Sequence, residues 1–212
     1  MAYRRDLLLG EVRRLAEGAR TEIAPFRYLL RLLLENTVLA ARQPGPGVYY
    51  ARGTRDRADI GGVGRDQVLT PLQLRDDGWL RLSVSLVVEE TEHGRRLKAS
   101  RSSFQYQARP EPDTQDWIFR YDYLRDPRDR YPAAHLQVNA DLRVGGVLRD
   151  IKPLSRVHFP TDRVPLEGAI RLLAEDFDVP CAQPPEVWRP VLAEAEKVFK
   201  QIAHRPNFGP AG

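Results

Sequence analysis

The chain has 212 residues, 33 Lys and Arg against 29 Asp and Glu for a formal net charge of +4, and 42% hydrophobic residues. That balance belongs to a globular protein and excludes collagen-like, fully disordered and disulfide-stapled chains. Lone Cys181 fits a reducing compartment. The longest apolar stretch, residues 29–41, is broken by Arg31 and Glu35 and falls short of the roughly 20 residues of a membrane span. With Asp6 and Glu11 where a signal peptide needs an apolar core, the expectation is a cytoplasmic protein with no membrane partner.

In chain order, Leu7, Leu8, Val12 and Leu15 recur at helical spacing and stop at Gly18. A second helix is predicted from an N-cap at Thr21 through Phe26, Leu29, Leu30, Leu33, Leu34 and Leu39, ending before Pro44. Residues 48–70 show no apolar period and predict an irregular, glycine-rich loop with short strands at 48–51 and 67–70. Gly61, Gly62 and Gly64 lack both the preceding apolar strand and the Lys-Ser/Thr pair of a phosphate loop.

Strict alternation then marks a sheet. Leu80, Leu82, Val84, Leu86 and Val88 alternate with Arg81, Ser83 and Ser85. Glu92-His93-Gly94 is the turn to a partner ending at Phe104 and Tyr106. Trp117, Phe119, Tyr121 and Tyr123 form a third strand, 134–140 a fourth, Gly145-Gly146 a turn and 156–159 a short fifth. Two helices follow, one from Pro165 through Phe177 and one after Pro185 that ends before Pro206. The order predicts one α+β domain over 1–212: helical at 1–43, an antiparallel sheet of about five to seven strands at 48–159, and helical at 165–206.

If Trp117, Phe119, Tyr121, Leu136, Val138, Val157 and Phe159 face the helices, then Arg120, Asp122, His135, Gln137, Asn139, Arg156 and His158 share the other face. Two histidines can serve as acid and base near neutral pH, arginines can hold a phosphate, and Asp122 can orient an imidazole. This inventory suits metal-independent RNA cleavage, with His135, His158 and Asp122 as candidate catalytic residues and Arg120 and Arg156 on phosphate. Arg125, Arg128 and Tyr121, in and beside the charged loop 125–130, are further substrate-binding candidates. As metal ligands, His135, His158 and Asp122 lie on three separate elements without a compact His-x-His spacing, so no metal or cofactor is expected. His93 lies in a turn, His204 at a helix end, and Cys181 has no base nearby in sequence.

The string Trp117-Ile118-Phe119-Arg120-Tyr121-Asp122-Tyr123, followed by His135-Leu136-Gln137-Val138, resembles the aromatic-Arg-Tyr-Asp strand and His-bearing partner of small prokaryotic toxins of the TumE type. The resemblance implies a toxin–antitoxin component with nucleic acid as target, an antitoxin as partner, and Arg120, Asp122 and His135 as functional positions. The chain departs from those compact toxins in its helical regions at both ends. The second expectation from the sequence is a non-catalytic protein–protein interaction module with a basic surface.

Overall fold

The computed structural model describes residues 2–41, 47–64, 68–112, 114–127, 132–140 and 156–203. Helices α1 (Ala2–Gly18) and α2 (Ile23–Asn36) precede strands β1 (Gly47–Gly53), β2 (Arg57–Val63), β3 (Leu72–Gln73), β4 (Trp79–Thr91), β5 (Gly94–Gln107), β6 (Trp117–Leu124), β7 (Ala134–Val138) and β8 (Phe159–Pro160). Helices α3 (Leu166–Glu175) and α4 (Pro185–Ala203) complete an α+β fold. The eight strands form one antiparallel sheet in the order β1-β2-β4-β5-β6-β7-β8, with β3 attached beside β4.

Burial explains the element choice. The inward residues of β4, from Leu80 to Val88, are each at most 9% exposed, and each such side chain stabilises the fold by roughly 2 kcal/mol relative to exposure. Helix α4 rests on β5, α2 on β1, β2 and β4, and α1 lies across α2 and α4. One hydrophobic cluster joins all four helices to this single face of the sheet. The opposite face is polar: Ser85 donates to Asp59 at 2.6 Å, and Lys98 pairs with Glu89.

Several local expectations are corrected. Helix α2 stops at Asn36 rather than continuing past Leu39, because the Asn36 and Thr37 side chains donate back to the Leu32 and Leu33 carbonyls at 2.9 and 2.7 Å. Its cap position is Glu22, not Thr21. The strand expected at 48–51 lies within β1, but the segment that follows is not a loop: β1 and β2 form a hairpin and β2 pairs along β4, while Leu69 makes only an isolated bridge to Val63. Gly61 and Gly62 are needed there: a Cβ on the first would strike the Leu82 carbonyl, and one on the second the Thr70 carbonyl. Helix α3 ends at Glu175, and Phe177 packs its ring 5.4 Å from Tyr106 and 5.3 Å from Phe119. The break at residues 42–46, the Gly145-Gly146 turn, Pro206 and His204 lie outside the described residues.

The third strand holds a further correction. Tyr106 pairs with Phe119 but Gln107 pairs with Trp117, so Ile118 is the extra residue of a β-bulge. One inserted residue reverses the parity of what precedes it. Trp117 therefore lies on the polar face, with the Arg120 guanidinium 5.7 Å from its ring, and not toward the helices. Phe159, also expected toward the helices, is 39% exposed.

Candidate functional site

The site grows from the pairing of β6 with β7. Their register sets Arg120 opposite Gln137 and Asp122 opposite His135. Strand β8 then pairs Phe159 with Leu136, which brings His158, the residue just before it, alongside β7. The two imidazoles meet edge to face, ring centres 4.4 Å apart and planes at 67°. Two histidines 23 positions apart in sequence thus share one surface through strand order alone.

A hydrogen-bonded frame fixes both rings. Arg120 Nε donates to Asp122 Oδ2 at 2.6 Å, and its Nη2 donates to Gln137 Oε1. That second bond orients the Gln137 amide, whose Nε2 then faces His158 Nε2 at 3.5 Å and donates toward its lone pair. On the other ring, His135 Nδ1 lies 3.0 Å from the Pro132 carbonyl, which accepts its proton, and Nε2 lies 3.7 Å from Asp122 Oδ2. Each ring nitrogen of His135 therefore faces an oxygen, the Pro132 carbonyl at hydrogen-bond distance and the Asp122 carboxylate at ion-pair distance. Arg120 is thereby the keystone, touching the carboxylate that faces one histidine and the amide that faces the other.

Four of the sequence-derived candidates, Arg120, Asp122, His135 and His158, converge. Tyr121 does not join them: it sits on the helix-facing side, 5.6 Å from Phe119, where burial, followed by the charge of Asp176, pushes its hydroxyl pKa up. Arg125 Nε donates to the Ala99 carbonyl at 3.2 Å and lies beside Arg163, which stacks between Tyr123 and Phe199. Arg156 is exposed on the approach to β8, and Arg128 lies outside the described residues. Gln137, placed on this face from sequence but given no role, and Trp117, expected toward the helices, are parts of the site whose roles sequence reasoning missed. For Gln137 the signal was available, since it lies two residues from His135 on the same face of β7, whereas the bulge that turns Trp117 leaves no mark in composition.

Among the described residues, no three His, Cys, Asp or Glu side chains converge as metal ligands, and Asp122 is already tied to Arg120. Cys181 is half buried, and burial pushes its thiol pKa up, away from the thiolate a nucleophile needs. Comparison with known protein families, with curated proteins and with solved structures gives no match to this chain.

Proposed function

We propose that the protein is a toxin-like, metal-independent ribonuclease acting at the β6–β7–β8 face, in the cytoplasm where its substrate is found. The observation that carries this is the direct contact of His135 and His158 beside an Arg120–Asp122 pair. In the proposed reaction the ribose 2′-hydroxyl gives its proton to His158 Nε2, which exchanges its long contact with Gln137 for the substrate. The 2′-oxygen bonds to phosphorus, the bond from phosphorus to the 5′-oxygen breaks, and that oxygen takes a proton from His135. The products are a 2′,3′-cyclic phosphate and a 5′-hydroxyl end. Arg120 stabilises the charge that develops on the phosphoryl oxygens, and Asp122 with the Pro132 carbonyl keeps His135 oriented.

The test is cleavage of end-labelled RNA in excess EDTA by the parent, His135→Ala and His158→Ala, each checked for folding. Loss of an acid or base lowers the rate by about 10²–10⁴-fold, so both variants are expected to be nearly inactive and the parent products to carry cyclic phosphate ends. Equal cleavage by all three, or none by the parent, overturns the proposal. A toxin-type role further predicts a protein partner that silences the activity. A second reading, the interaction module, is favoured by Tyr3 and Leu7, apolar side chains 81% and 52% exposed on α1 beside Arg5.

A further inference from the structure

Strand β6 carries its aromatic residues on both faces, and only the bulge decides which of them the histidines can use. Phe119 and Tyr121 point toward the helices. Trp117 is partly buried on the polar face and lies outside the hydrophobic cluster that joins the helices to the sheet. Asn139 fastens the chain on both sides of it, its backbone N–H donating to the Ile118 carbonyl at 2.9 Å and its side chain to the Gln115 carbonyl at 2.8 Å. Gln107, the register partner of Trp117 on β5, is fully buried with its amide donating to the Arg109 and Glu111 carbonyls, which ties the backbone beside Trp117 to that loop.

From the indole a continuous path of contacts leads to the acid–base pair. The Arg120 guanidinium lies 5.7 Å from the Trp117 ring, bonds to Asp122, and Asp122 faces His135. A phosphate bound at Arg120 would hold its nucleotide with the base over the indole. We infer that Trp117 is the base-stacking residue of this site and that the substrate is single-stranded RNA, gripped by one unpaired base next to the phosphate on Arg120. The inference rests on the ribonuclease reading above. A flat sheet can take a base face only when that base is free of its partner and neighbours, as in loops and single strands. Stacking on an aromatic ring tolerates every base, so the site selects unpaired structure more than sequence.

The experiment measures binding apart from cleavage. A fluorescent 2′-O-methyl oligouridine of about twelve nucleotides, within the usual span of single-strand sites, cannot be cut because its 2′-oxygen has no proton to give. Its affinity for the parent, Trp117→Leu, Trp117→Gln and Trp117→Phe is followed by anisotropy, alone and annealed to its complement, with circular dichroism confirming the fold. The expected result is tight single-strand binding by the parent, weaker by about 10- to 100-fold in Trp117→Leu and Trp117→Gln and largely kept in Trp117→Phe. Duplex binding should be weak and alike in all four. If Trp117 merely shields Arg120, the variants lose single-strand and duplex binding together, and the inference falls. Unchanged single-strand binding in both Leu and Gln variants also overturns it. A parent that fails to bind the oligonucleotide but cuts RNA in EDTA leaves the ribonuclease standing without this inference; one that neither binds nor cuts removes both.

Discussion

Glu167 is 2% exposed in the first turn of α3, and its Oε2 meets no hydrogen-bond donor among the described residues. Burial pushes its pKa up to about 7, with Glu196 on α4 adding to the rise and its own backbone N–H and Arg171 opposing it. The unfolded carboxyl titrates near 4.5. Between those two values the folded chain holds a proton that the unfolded chain has released, so stability falls as pH rises through that window. Above it the full cost is reached, about 3 kcal/mol at roughly 1.4 kcal/mol per unit. Thermal unfolding from pH 4 to 8 should therefore show a decline that Glu167→Gln removes, the variant being the more stable of the two at pH 8. A parent and variant with parallel profiles would show that Glu167 stays ionised in the fold.

At the level of elements, β2 shows how a sheet can depend on residues that have no side chain. Gly61 lies against β4 and Gly62 beneath the Thr70 carbonyl, leaving no room for a methyl group. Gly62→Ala should cost about 2–3 kcal/mol, as overpacked sites do, read as a lower urea midpoint with an unchanged slope. The same glycines hid the strand from sequence reasoning, since a period-two pattern needs side chains to display it. Strands β4 to β7 were legible because each buries one face and wets the other, and Arg120, Asp122 and His135 followed from that alternation alone. His158 was legible as a residue type, but its contact with His135 depends on β8 pairing with β7, which no local pattern specifies. The bulge at Ile118 is subtler: it changes which way Trp117 points while leaving hydrophobicity and spacing as they were. Thr37 ended α2 early through a side-chain bond that competes with the helix, a local signal outweighed in the sequence by Val38 and Leu39, which are buried outside the helix.

For the whole molecule, the net charge of +4 is spread over many ion pairs, including Arg13 with Glu194 and Arg171 with Glu196. The electrostatic part of the proposed RNA binding is therefore expected to be local to the site. If Arg120 and one further cation each neutralise a phosphate, the logarithm of affinity for single-stranded RNA should fall against that of salt concentration with a slope of about −1.4. A slope beyond about −3 would mean that a broad basic surface carries the binding, and titrations between low and moderate salt decide it. The arrangement of the helices bears on how the chain reaches this form. Each main strand pairs with one that is near it in sequence, and such local contacts close small loops and form early. The inner face of β5 is different, because α4 covers it and α4 in turn meets α1 through a pair 181 positions apart, Arg13 and Glu194. During synthesis, then, the part of the β5 inner face that α4 covers stays open until that helix has been made, so the sheet can pair before its hydrophobic cover is complete.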